Sequence, residues 1–143
     1  MFTNSVKYAL KAVLFLAVHS GEERKIMVKD IAEPINVPKA YIAKLLQELS
    51  KQEIISSTRG VKGGFYLTES NLKQPVLNVI YAIDGTYRMN SCLLSLESCN
   101  EYKPCPLHHI VSPMRSKLIE SLKEKTLEDL SIEIQSGLSY LPL

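Results

Sequence analysis

Long apolar runs are missing from this sequence. The longest, residues 12–18 (AVLFLAV), is seven residues, against the ~20 that a helix needs to cross a bilayer. A helical membrane protein is thereby excluded. Cysteine is scarce too: there are three in 143 residues, an odd number that leaves one thiol over in any closed disulfide framework. The beginning of the chain shows no basic flank with a small-residue cleavage site, so a cytoplasmic protein is expected. In that compartment thiols stay reduced unless they sense something or bind metal. Paired carboxylates, a nucleophile–base arrangement and a nucleotide-binding loop are all missing, which argues against an enzyme. Excess charge is also small, at +2 overall.

What remains is ordinary material for one globular domain with a real core: 45% apolar and 22% charged residues. The charge is unevenly spread. Residues 1–66 hold ten Lys or Arg against six Asp or Glu, and residues 67–143 hold seven against nine. A basic first half fits a nucleic-acid contact, although a charge bias of this size is weak on its own.

The first half reads as helices followed by a hairpin. Residues 4–19 are helical, with Val6, Leu10, Val13 and Ala17 on one stripe. Residues 19–25 (HSGEERK) break the pattern, and 28–35 (VKDIAEPI) predict a short helix ended by Pro34. After a tight turn, Pro38 suits the start of a helix over roughly 39–52. That helix buries Ile42, Leu45, Leu46 and Leu49 and turns Lys39, Tyr41, Lys44 and Gln47 away from them. Two helices joined this closely have the form of a helix-turn-helix or of a plain helical hairpin.

The next stretch decides between them. Runs at 54–57 and 65–68 predict two strands around Arg59-Gly60-Val61-Lys62-Gly63-Gly64. A helix-turn-helix followed by a hairpin tipped with cations is a winged helix. In that layout the second helix enters the major groove and the wing lies against phosphates or the minor groove. Arg59, Lys62 and Gly63 of the wing, with Lys39, Tyr41 and Lys44 of the helix, are the candidate DNA contacts. The expected fold class is mainly α with a small β-hairpin wing, a winged helix-turn-helix plus a long C-terminal dimerisation helix. Residues 1–70 form the DNA-binding region. Residues 71–143 hold a helix, a cysteine-loop sensor and the dimerisation helices, all within one integrated domain.

Past residue 71, the segment 75–84 predicts a helix opened by Pro75 and closed by Gly85, and 86–104 a loop. From Pro106 on, Leu107, Ile110, Val111, Met114, Leu118 and Leu122 recur at helical spacing. A helix this long outside the DNA-binding unit has few partners within the chain, which suits a homodimer. Pro113 falls inside it and predicts either a kink or a fresh start capped by Ser112. Thr126 and Asp129 frame a last helix, 127–135, ended by Gly137. The loop carries all three cysteines: Cys92-x6-Cys99-x5-Cys105, with His108 three residues beyond. Three thiolates and an imidazole suit an iron–sulfur cluster and a structural zinc alike, and spacing alone leaves both open.

Taken in order, 8–17 (YALKAVLFLA), 28–67 (VKDIAEPINVPKAYIAKLLQELSKQEIISSTRGVKGGFYL), 78–85 (NVIYAIDG), the cysteine loop and 125–130 (KTLEDL) resemble the Rrf-family winged-helix transcription regulators of the IscR, NsrR and CymR type. The wing and the three-cysteine loop are the most specific parts. The resemblance implies double-stranded operator DNA as partner, a homodimer, and an iron–sulfur cluster held by Cys92, Cys99, Cys105 and His108. It favours [2Fe–2S] over [4Fe–4S], because Lys7 stands where the NsrR type has an Asp ligand. The gap from Cys92 to Cys99 is one residue longer than in the IscR type, and His109 is the rival fourth ligand. Ala43 and Lys44 stand where IscR-type members have Glu and Gln, so the operator sequence does not carry over. Zinc, or no metal, is the alternative. A cluster-free thiol- or metabolite-responsive repressor of the same fold is the second functional reading. An electron-carrying iron–sulfur protein is the third, and it would leave the basic wing idle.

Overall fold

The computed structural model describes residues 2–94 and 97–142. Two positions of the expected 86–104 loop and the last residue of the C-terminal tail lie outside them. Among the described residues the order is α1 (Asn4–His19), α2 (Val28–Ile35), α3 (Lys39–Lys51), β1 (Ser56–Thr58), β2 (Gly64–Tyr66), α4 (Glu69–Leu72), α5 (Val76–Asn90), α6 (His108–Glu124) and α7 (Leu127–Gln135).

Helix α1 starts where the Thr3 side chain accepts from the Val6 N–H, which satisfies one orphan donor of the first turn. Its Val6, Ala9, Ala12, Val13 and Leu16 are fully buried. Around them pack Ile31 and Ile35 of α2, Ile42, Leu46 and Leu49 of α3, Val76 and Val79 of α5, and Leu127 of α7. A second cluster joins Val6 to Leu77, Ile80 and Met89, with Leu118, Ile119 and Leu122 of α6 half-buried against it. Two-thirds of the way along α1, then, the chain has already met the helices of both halves.

The hairpin is antiparallel, pairing Ser56 with Tyr66, Ser57 with Phe65 and Thr58 with Gly64. Its strands are shifted one or two residues toward the turn from the expected runs, because Ile54, Ile55 and Leu67 turn into the core instead. Phe65 is flanked on its other side by Ile26, through N–H···O bonds of 2.9 and 2.8 Å, so the segment after α1 braces the wing. The Ser20 hydroxyl donates to the Leu16 carbonyl (2.6 Å) and accepts from the Leu67 N–H (3.0 Å), tying α1 to the strand exit.

Three local expectations are corrected. Pro34 does not end α2, which runs on to Ile35. Burial of Ile31, Ala32 and Ile35 outweighs the one backbone bond that the missing N–H forfeits. Gly85 does end a first helical segment, but the loop expected from residue 86 does not begin there: helical backbone resumes as far as Asn90, anchored by buried Met89. Pro113 lies within one helix, and Ser112 caps nothing. A further short helix, α4, forms where none was expected, held by a reciprocal cap between Thr68 and Asn71.

The Thr126–Asp129 cap is present as read from the sequence, with both bonds at 3.0 Å. The Thr126 backbone N–H, then its hydroxyl, hold the Asp129 carboxyl below its ordinary value of 3.8, helped by Lys125. A carboxyl lowered on folding stabilises the folded state above its unfolded value and loses that contribution as the pH falls through its folded value. Asp129→Ala is therefore expected to destabilise the protein near neutral pH and to differ progressively less from wild type below pH 3.8. Urea unfolding across that range measures the difference.

Candidate DNA interface and cysteine loop

The outer face of α3 is set by burial of its inner one. With Ile42, Leu46 and Leu49 in the core, Ala40, Lys44, Gln47 and Lys51 form an exposed stripe at spacings of four, three and four. Lys39 is exposed beside it. At the wing, Arg59, Gly60, Val61 and Lys62 are exposed, with Val61 98% accessible. Cations on helix and wing thus stand free to meet phosphates.

Two of the expected contacts have other work. The Tyr41 hydroxyl shares a 2.6 Å hydrogen bond with Ser5 Oγ, and its ring meets Tyr8 edge-on at 5.6 Å. Tyr41 thereby brackets α3 to the start of α1. Gly63 is buried, and a Cβ there would run into the carbonyl oxygen of Thr58. Its part is to let the wing turn close on itself. Sequence reading passed over Lys51, which the spacing from Lys44 and Gln47 could have signalled, and Ser5, which nothing local could.

In the cysteine loop, the bridge between Ser91 and Ser98 narrows the entry, and the Cys92 N–H donates to the Glu97 carbonyl at 3.2 Å. The Cys92 Sγ is approached by the Leu94 N–H at 3.5 Å. Arg115 of α6 donates to the Ser91 carbonyl at 2.7 Å, a loop–helix tie across 24 residues that no sequence pattern announces. The three cysteines are half-buried. Of the four candidate ligands, the structure brings two into contact: Cys99 Sγ lies 2.9 Å from His108 Nδ1. His108 opens α6, is 9% exposed, and its N–H donates to the Cys105 carbonyl at 3.0 Å. His109 points outward, its ring perpendicular to that of His108 at 5.4 Å. Among the described residues, no three Cys, His, Asp or Glu side chains converge on a single point at metal-binding distance.

The donor set still fits an iron–sulfur cluster in kind. A lone zinc needs four donors about one centre, at about 2.0–2.3 Å. A dinuclear cluster takes its four protein ligands as two per iron, and thiolates with imidazole are among its ligands. One such pair, Cys99 with His108, is in place.

Comparison with known proteins agrees with this picture. The model of the Rrf2 family, described as "Iron-dependent Transcriptional regulator", matches residues 2–133. A helix-turn-helix-type transcriptional regulator of Aquifex aeolicus (strain VF5) is 32% identical over 132 residues, covering 91% of this chain and 90% of that one. The helix-turn-helix-type transcriptional regulator IscR of Photorhabdus laumondii is 29% identical over 128 residues, 90% of this chain and 77% of that protein. In fold, the structure of CymR, the global cysteine regulator of B. subtilis, superposes with a TM-score of 0.75 at 23% identity, covering 92% and 96% of the two chains. That likeness identifies the helices and two-stranded hairpin as the winged-helix arrangement. No helix among the described residues is long and apolar enough to cross a membrane. The match runs from the first helix through nearly all of the last, and this chain belongs to the Rrf2 family, whose members are transcriptional regulators and not enzymes.

Proposed function

We propose that this regulator binds operator DNA as a homodimer, and that its cysteine loop holds a [2Fe–2S] cluster through Cys92, Cys99, Cys105 and His108. The observation that carries the second part is the buried imidazole of His108 against the Cys99 thiol at 2.9 Å. Thiolate and imidazole are both ligands that iron accepts. The iron-dependent description of the family and the likeness to IscR support the same reading. When bound, the cluster supplies a redox-sensitive tie among the four side chains. The chain's own residues do the rest: the α3 stripe with Lys39 and Lys44 faces the major groove, and Arg59 and Lys62 flank it from the wing.

The dimer reading rests on α6. Ile110 and Met114 are 63% and 70% exposed one turn apart, and Pro113, Met114, Lys117, Leu118 and Ser121 line a shallow groove on that face. A second copy would cover this stripe by two-fold symmetry and set two recognition helices about 34 Å apart, one turn of DNA.

Purification without oxygen, with an absorption spectrum and iron, sulfide and zinc analysis, tests the cluster. About two irons and two sulfides per chain are expected, the content of one dinuclear cluster. A zinc-loaded colourless protein sinks the reading, and a colourless metal-free one whose DNA binding follows thiol reagents replaces it with a thiol switch. His108→Ala should lose the cluster faster than wild type, while His109→Ala should not. Replacing Arg59 by Ala should weaken specific operator binding by about 1–3 kcal/mol at fixed salt with dimerisation intact. Fluorescence anisotropy reads this directly, and unchanged affinity would remove the wing from the interface.

A further inference from the structure

Helix α5 is broken at Gly85, where φ is 73° and ψ 172°. That region is essentially closed to residues with a Cβ. The break divides α5 into a segment 76–84, packed on α1 and α3, and a short segment 86–90 that leads into Cys92. The far end of the short segment is fastened to the cysteine loop: the Asn90 carbonyl accepts from the Cys99 N–H at 3.5 Å, and Arg115 holds the Ser91 carbonyl.

The residue just before the break, Asp84, is bonded in two directions. Its carboxylate accepts from the Thr3 hydroxyl through both oxygens, at 3.0 and 2.9 Å. Its Oδ2 also lies 3.6 Å from Arg88 Nε, on the other side of Gly85. Thr3 is the N-cap of α1, and two residues further Ser5 holds the hydroxyl of Tyr41 on the recognition helix. At the opposite end of that helix, the Gln52 side chain donates to the Ala82 carbonyl at 2.9 Å. Segment 76–84 is therefore tied to both ends of α3, while Arg88 ties it to the segment that carries the loop.

From this geometry we infer that Asp84 is a positioning residue for DNA binding, coupling the cysteine loop to the recognition helix through Arg88 on one side and Thr3, Ser5 and Tyr41 on the other. The inference rests on the reading of the loop as the sensor. The Asp84 side chain is 11% exposed and that of Arg88 58%. An ion pair so open to water contributes little to stability, so the pair acts chiefly on orientation: segment 86–90 turns about Gly85, and Asp84 passes the change to the start of α1. The loop shifts operator affinity only to the extent that its two states favour different orientations of that segment.

The test compares operator Kd for two loop states of the full chain, loaded anaerobically with iron and sulfide and stripped of metal under reducing conditions. Coupled sites typically differ by about 5- to 150-fold. In Asp84→Asn and in Arg88→Gln the ratio should collapse toward one. Asp84→Glu, which keeps the charge, should recover part of it. Hydrogen exchange at the Val6 and Lys7 amides of the metal-free protein should quicken in Asp84→Asn, and thermal unfolding should move little. Arg88→Gln leaves the Thr3 bond intact, so it answers the question even where Asp84→Asn fails to fold. Should wild type take up no iron, the cluster reading fails by itself, and the second loop state is then made by oxidising the thiols with diamide. A wild-type ratio retained in both variants overturns the inference, and so does a wild-type ratio of one under both treatments.

Discussion

Burial of α1 on several sides at once governs how everything else is placed. Val6, Ala9, Ala12, Val13 and Leu16 share one face and have no accessible surface, and Tyr8, Leu10, Leu14 and Phe15, half-buried against the same core, carry the covered surface well beyond that face. A single neighbour cannot cover them. The helix-turn-helix, α5 and α7 all pack against it. Alanines at 9 and 12 keep the surface shallow enough for close approach. One helix thereby contacts both the winged-helix half of the chain and the helices of the other half.

Polar ties then fix what packing leaves free. Apolar contacts are tolerant of small rotations, whereas a hydrogen bond weakens steeply when its angle falls. Ser20 locks the end of α1 to the strand exit, and Thr3 locks its beginning to Asp84. Asn71, 7% exposed, accepts from the Ser56 hydroxyl and from the Thr68 N–H and donates to the Glu53 carbonyl, which holds the base of the wing. The Lys25 ammonium lies 5.2 Å over the Tyr66 ring and adds a cation–π contact there. The wing tip itself has no such ties and stays open to solvent, as a surface that meets DNA requires.

The cysteine loop and the helix start beside it differ in a similar way. His108 is buried at the start of α6 and held through its backbone by Cys105, while the cysteines sit half-buried in irregular chain. One donor is positioned by a helix and the others by turns. The cysteines thus lie outside the apolar core, so a local change in the loop does not require the core to open.

Much of this was determined by the sequence alone. The apolar spacing of α1 and α3, the Thr126–Asp129 cap, the cations at the hairpin tip and the inventory of three thiols and an imidazole are local properties, readable within a few residues. Only tertiary structure decided the rest. Pro34 and Pro113 break helices by local rules, yet both lie inside helices, and Ile31, Ala32 and Ile35 bury α2 on either side of the first. The strands lie closer to the turn than expected because Ile54, Ile55 and Leu67 are drawn into the core. Tyr41 faces Ser5 across 36 residues, and Asp84 faces Thr3 across 81. Side-chain partners that far apart are chosen by how the helices dock, a choice no window of sequence contains.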